Sequence, residues 1–416
     1  MTFGSLLLAF ALTQQPPAYD IWISDPSTVK DELTLEDLSR GWGPRFIRAV
    51  TDKGEIFCAK PPGYWSAKQF RAIPDRTPEQ ALNETSNRIT FSLPNGGVTY
   101  GGHILLNNLL HGVDGPHNSY QGGILWSGRA VPFKDKCYIT AYSQGMKFAG
   151  VLGNLDMYKQ IPEMMADMLI LGELGTPCRI VNGRAKVLPI PSSMYPWQVI
   201  PRAINDRGDI IATAPDPTIF NRKAPRLNTG NVTMISGGYG PGYFDPTTHQ
   251  WVSACQSIVW NAKNRYFTTR SRFNLKGSVV RFDCFLGSGG YGGAVIDRAG
   301  RTRAIVSDGH KISFLPEPEN AEYSVVSMEI PGGYAGGYRL KGEYAPYTGC
   351  VWIDGKFYSI RDLVDIEKDW KISPVQAVGK NGELAVGLYR EVKQEDGGSQ
   401  SQVRVALLTP RSIKRP

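Results

Sequence analysis

Three stretches far apart in the chain are built to one pattern. They are Ala49-Val50-Thr51-Asp52-Lys53-Gly54-Glu55-Ile56, Ala203-Ile204-Asn205-Asp206-Arg207-Gly208-Asp209-Ile210 and Ala377-Val378-Gly379-Lys380-Asn381-Gly382-Glu383-Leu384. Each passes from a small and a β-branched residue into a turn set ending in Gly, then an acid and an aliphatic. A glycine supplies the positive φ at which a hairpin reverses, and the apolar residues on either side enter strands. Internal repetition of this kind constrains architecture before any single residue does. It restricts the chain to a protein assembled from many short hairpins.

Looser copies fill the gaps. Phe91-Ser92-Leu93-Pro94-Asn95-Gly96-Gly97-Val98 keeps the turn glycine at the same offset, and weaker copies centre on Gly145, Gly277 and Gly332. A second element follows most of them: two or three apolar residues, often ending in Trp, then a short turn and another strand. Ile124-Leu125-Trp126, Ile180-Val181-Asn182-Gly183 and Val351-Trp352-Ile353-Asp354-Gly355 are clear members. Ser257-Ile258-Val259-Trp260-Asn261 and the segment from Ala294 to Gly300 are degenerate ones, and Phe244 to Trp251 is a further strand–turn–strand.

Two hairpins per unit make a four-stranded antiparallel sheet, and Gly54, Gly96, Gly145, Gly208, Gly277, Gly332 and Gly382 each mark one. The predicted fold is all-β: a β-propeller of about seven four-stranded blades, with six or eight the neighbouring counts. The 46 Gly and 29 Pro suit many short strands joined by many turns. Strands after several turns are rich in small residues, as in Phe148-Ala149-Gly150, Gly289-Gly290-Tyr291-Gly292-Gly293 and Gly333-Tyr334-Ala335-Gly336-Gly337. Such residues allow close backbone approach, which predicts that these are the innermost strands. One domain is expected over residues 20–412. An insertion near 156–174, rich in Met and broken at Pro162, interrupts the pattern.

The Ala203 to Ile210 stretch, with Val351-Trp352-Ile353-Asp354-Gly355 and then Asp362-Leu363, resembles the HAF repeat of bacterial extracellular proteins. Val386-Gly387 matches the valine–glycine part of that repeat. The His-Ala-Phe triplet that names it is absent here. The resemblance implies a secreted or surface-associated β-propeller, and it carries no catalytic residues to transfer.

The ends and the cysteines bear on compartment. Leu6 to Leu12 is a short apolar run before the polar, Pro-rich Thr13-Gln14-Gln15-Pro16-Pro17, so residues 1–15 read as a signal-like segment without a basic start. Export to the cell surface or beyond is the expectation, with no transmembrane segment. The six cysteines are far apart and match no zinc spacing. An even number suits disulfides, but Cys58, Cys178 and Cys350 lie in strand-like segments, which favours buried thiols. A propeller also needs its ring fastened. The last unit offers three strands, ending in Val403-Arg404-Val405-Ala406-Leu407-Leu408, so Ile21-Trp22-Ile23 is expected to supply the fourth.

Two clusters carry candidate chemistry. His103, His111, Asp114 and His117 bring three of the five histidines near a carboxylate, a workable metal set that matches no zinc motif. A loop that happens to be rich in His is the plainer account. Arg265, Tyr266, Arg270 and Arg272 interleave cations with an aromatic, and with Phe267 nearby they suit an anionic polysaccharide or a nucleic acid held by charge and stacking. An ordinary exposed strand face is the plainer account there. Nucleic acid is disfavoured because the net charge of +8 is modest and scattered. No phosphate-binding loop, dinucleotide fingerprint or nucleophile elbow is present, and no cofactor is expected. The function expected is a monomeric, non-enzymatic binding or scaffolding module. The alternative is a propeller hydrolase or lyase acting on polysaccharide through dispersed carboxylates, which leave no local signature.

Overall fold

A computed structural model of the chain describes residues 18–24, 47–51, 53–59, 62–66, 69–72, 88–92, 98–101, 122–126, 129–132, 134–135, 137–143, 145–152, 176–194, 199–215, 243–245, 250–252, 255–297, 300–343, 348–393 and 397–411. The signal-like segment and the 156–174 insertion lie outside them. The described residues are nearly all-β, in antiparallel sheets arranged as a β-propeller.

The repeated turn explains itself chemically. Thr51 N donates to Glu55 O at 2.8 Å and Gly54 N to Thr51 O at 2.9 Å, with Gly54 at φ 73°. This is a three-residue loop whose last member is left-handed and forms a bulge. The bulge leaves the next N–H without a ladder partner. The first turn side chain supplies one: Glu55 N donates to Thr51 Oγ1 (3.1 Å), Asp209 N to Asn205 Oδ1 (2.8 Å), Arg265 N to Asn261 Oδ1 (3.0 Å) and Arg301 N to Asp297 Oδ1 (2.9 Å). A short acceptor therefore opens each of these turns for a stated backbone reason.

Four units are plain four-stranded sheets. The first is β2 (Ile47–Val50), β3 (Ile56–Ala59), β4 (Pro62–Ser66) and β5 (Gln69–Ala72). The second is β6 (Arg88–Ser92), β7 (Val98–Gly101), β8 (Gly122–Trp126) and β9 (Arg129–Pro132). The third is β10 (Cys137–Tyr142), β11 (Phe148–Leu152), β12 (Thr176–Val181) and β13 (Arg184–Val187). The fourth uses β14 (Ile200–Ile204), β15 (Ile210–Pro215), β18 (Cys255–Trp260) and β19 (Tyr266–Thr268). Between its second and third strands lies a separate ribbon, β16 (Tyr243–Asp245) and β17 (Gln250–Val252), the Phe244 to Trp251 element of the sequence.

The next two units share one eight-stranded sheet. The fifth is β20 (Val279–Phe285), β21 (Tyr291–Ile296), β22 (Thr302–Ser307) and β23 (Ile312–Phe314); the sixth is β24 (Ala321–Ile330), β25 (Gly333–Leu340), β26 (Thr348–Ile353) and β27 (Lys356–Ser359). A single parallel pair, Thr302 with Tyr323, joins them. The last sheet has five strands: β28 (Lys371–Ile372), β29 (Ala377–Val378), β30 (Leu384–Lys393), β31 (Ser399–Pro410) and, from the other end of the chain, β1 (Tyr19–Ile23). Counted as sheets the ring is uneven; counted by hairpin pairs it repeats one plan.

Tyr19 to Ile23 pairs antiparallel with Pro410 to Ala406, as the incomplete last unit requires. Ser24 N donates to Val405 O at 2.9 Å and Val405 N to Ser24 Oγ at 3.1 Å, extending the ladder. Trp22 then reaches Trp65 of the first unit, with ring centroids 6.3 Å apart.

The Trp at the end of a third strand has a defined task. Trp260 Nε1 donates to Pro189 O at 2.7 Å, and Trp352 Nε1 donates to Pro316 O at 2.7 Å. In each case the indole, fully buried, bonds the carbonyl just beyond the outer strand of the preceding unit. The aliphatic–Trp element is thus a blade-to-blade fastener, with a large apolar body and one donor that needs a partner.

Several expectations change. Gly145 does not carry the left-handed residue of its turn; Met146 does, at φ 60°. The Gly145 N–H instead donates to Asp206 Oδ1 of the next unit at 2.6 Å. Gly277 lies in the link into β20, and the hairpin turn of that unit is at Gly289. Ala294 to Gly300 joins second and third strands, not third and fourth. The small-residue strands are not innermost. They are the second strands, while first strands touch one another from unit to unit around the axis. Close approach is still their reason: a Cβ on Gly336 would meet Val325 O at 1.8 Å, and one on Gly292 would meet Val326 Cγ1 of the next unit at 2.6 Å.

Cys137, Cys178, Cys284 and Cys350 are free and buried. Burial pushes the Cys137 thiol up to about 12, helped by nearby Asp135, and raises Cys178 and Cys350 as well. These groups are therefore poor nucleophiles in the fold. In a Cys58→Ala, Cys255→Ala background, labelling by a disulfide reagent at neutral pH should follow global unfolding. Fast labelling of the native protein would contradict this burial.

Candidate functional site

A cleft of about 280 Å³ opens where the fourth and fifth units meet. Its near wall comes from the hairpin β18–β19. Asn261 N donates to Arg265 O (2.9 Å), Asn264 N donates to Asn261 O (2.9 Å), and Asn264 takes the left-handed position at φ 60°. Asn tolerates that conformation, so the turn closes without glycine. The turn places Asn261 and Arg265 at the rim, with Tyr266 and Phe267 following on β19. Tyr266 is 40% exposed, a large aromatic left at the surface. Its ring centroid is 6.5 Å from that of buried Trp260.

A short helix, α1 (Thr269–Arg272), follows at once, capped by Thr268 Oγ1 accepting from Ser271 N at 3.1 Å. It carries Arg272 back over Phe267, with the guanidinium carbon 3.7 Å from the ring centroid, a cation–π contact. Arg272 Nη1 also donates to Gly309 O of the fifth unit at 3.2 Å. The far wall is Tyr291 on β21, whose ring stacks on Phe282 at 4.6 Å and 9°. Burial first, and Asp209 second, raise the Tyr291 hydroxyl, against the opposing pull of Arg272 and Arg207. The hydroxyl stays protonated at neutral pH.

The sequence pointed to Arg265, Tyr266, Arg270 and Arg272 as binding residues. The structure brings Arg265, Tyr266 and Arg272 to one cleft. Arg270 does not join them: its Nη1 donates to Ser278 O at 3.3 Å, in the link to the fifth unit. Asp209, Asn261 and Tyr291 complete the cleft and were missed, because they come from three hairpins in two units. The signal available was the turn pattern itself, which puts Asp209 and Asn261 on the same face of the ring. His103, His111, Asp114 and His117 lie outside the described residues.

A second feature lies toward the axis. The first strands β2, β6, β10, β14, β20 and β24 each slip register by one residue, at Arg48, Thr90, Thr140, Arg202, Asp283 and Ser327. Each bulged residue is polar. Asp283 accepts from Arg281 Nε at 3.0 Å. Burial raises its carboxyl despite Arg281 and Arg202 beside it. Among the described first strands the acids are Asp283, Glu322 and Glu329. Glu322 pairs with Arg339 (3.0 Å), and Glu329 accepts from Gly287 N (2.5 Å). All three carboxylates are thus engaged with the protein's own donors.

Among the described residues, no helix is long and apolar enough to cross a membrane. Compared with known proteins, the chain matches no family model and no curated protein.

Proposed function

We propose that this chain is an exported, non-enzymatic β-propeller that binds a polysaccharide or other cell-surface component, acting as a monomer through the cleft between its fourth and fifth units. The observation that carries this reading is the cleft itself, where an exposed aromatic and two arginines from one hairpin and its following helix face a wall built by the next unit. Ring stacking with charge at its edge is how a sugar or other flat polar ligand is held. The resemblance to HAF repeats and the signal-like N-terminus support export. Engagement of the first-strand carboxylates by Arg281, Arg339 and Gly287 N supports binding over hydrolysis, since a glycosidase needs two carboxyl groups available to substrate.

The test is a glycan panel run with a polymer-turnover assay on the same protein. Binding should appear without new reducing or unsaturated ends, and Tyr266→Ala should weaken it about tenfold, equivalent to about 1.4 kcal/mol of stacking. Turnover of a bound glycan would sink the non-enzymatic reading. Unchanged binding by Tyr266→Ala would move the site elsewhere.

A further inference from the structure

Resting on that binding role, we infer that the cleft selects a carboxylate-bearing sugar, a uronate residue of an acidic polysaccharide, over neutral glycans. The reason is a mismatch between donors and acceptors in its wall. Asp209 is already loaded: Oδ2 accepts from Asn205 Nδ2 (3.0 Å) and Arg207 Nε (3.1 Å), and Oδ1 accepts from Ala262 N (3.1 Å). Asn261 Oδ1 accepts from Lys263 N and Arg265 N, both at 3.0 Å. The Asn261 carbonyl accepts from Asn264 N (2.9 Å) and from Arg179 Nη2 of the third unit (3.1 Å).

The donors are left over. Among the described residues, Asn261 Nδ2 and the Arg265 guanidinium have no protein partner, while Arg272 commits one nitrogen to Gly309 O. Tyr291, held protonated, adds no acceptor of negative charge. A neutral sugar hydroxyl must donate as well as accept, so it finds few acceptors here. A carboxylate only accepts, and the guanidinium fork matches its two oxygens. Exposed Tyr266 supplies the face for the sugar ring. The alternative polyanion, a nucleic acid strand, needs a run of stacking platforms along a continuous cationic track. Exposed Asp206 and Asp308 on the neighbouring turns interrupt any such track.

Calorimetric titration of the full chain with an oligouronate, and with the same oligomer after its carboxylates are reduced to alcohols, tests the inference. The oligouronate should bind about tenfold or more tightly than its neutral counterpart, and Arg265→Ala should erase most of that difference. Added salt should weaken the acidic ligand more than the neutral one. Lys380→Ala, on the turn of the last unit, should change nothing. Arg265 is exposed and bonds through its backbone, so its variant should melt as the parent does.

Equal affinity for the two oligomers, or a silent Arg265→Ala, overturns the inference and leaves the binding module standing. Tighter binding of a sulfated glycan or of polyuridylate overturns it in favour of those anions. Failure of both oligomers to bind, with no other glycan bound, overturns the binding role itself. Cleavage of a selectively bound oligouronate supports the ligand class and overturns the non-enzymatic reading.

Discussion

Deleting residues 1–30 should lower the melting temperature by about 4–24 °C. The loss is that of a buried strand, not a tail. Tyr19 is 5% exposed, and Ile21, Trp22 and Ile23 pack against the core of the last sheet or of the first unit. At half to full burial these four side chains hold about 4–8 kcal/mol. A domain of this size loses about 1–3 °C per kcal/mol, which gives the stated shift. The deletion also bares the part of β31 that β1 covers, Ala406 to Pro410, as a template for pairing between chains. Aggregation on heating should therefore rise along with the loss of stability. A peptide spanning residues 18–24, added in excess, should recover part of the shift by refilling the edge. An unchanged melting curve for the truncated chain would sink the clasp.

Trp352→Ala should cost about 3–5 kcal/mol in denaturant unfolding, the range for a large aromatic removed from a packed core. Trp352 is 1% exposed, sits edge-on to Phe357 with centroids 5.9 Å apart, and packs with Cys284, Val326 and Cys350. Trp352→Phe should cost only about 1–2 kcal/mol, because it keeps most of the packing and loses the bond to Pro316 O. The pair of variants separates the fastening bond from the bulk of the indole. Trp260, with the same bond to Pro189 O, should give the same ordering. If Trp352→Phe proves as damaging as Trp352→Ala, the bond and not the packing dominates.

Much of the architecture was legible because turn chemistry is local. A three-residue loop demands a left-handed residue at one offset and a short acceptor at another, so Thr51, Asn205 and Gly208 announce themselves from sequence. Where another residue meets the demand, the signal fails. Met146 holds the left-handed position beside Gly145, and Asn264 holds it in the turn of the cleft. The glycine-rich strands were correctly seen as places of close approach but assigned to the wrong layer. A glycine reports crowding without saying whether the axis, the next strand or the next blade crowds it. For Gly292 it is Val326 of the following unit. The cleft was half legible: Arg265, Tyr266 and Arg272 are neighbours in sequence. Asp209 and Tyr291 reach it only because the ring sets one hairpin against another, and no local pattern encodes that meeting.

The clasp also dictates an order of events during synthesis. Ser24 and Val405, bonded in the finished fold, are 381 positions apart in the chain. A ribosome adding about 5–20 residues per second takes about 20–80 s to cover that interval. Through that time Ile21 to Ile23 has no strand to join, while the intervening hairpins can form as they emerge. The first of the described strands is thus the last one placed, and closing a loop of that length costs about 5 kcal/mol of chain entropy. Until then the unfinished ring is a chain of blades with one unpaired apolar strand.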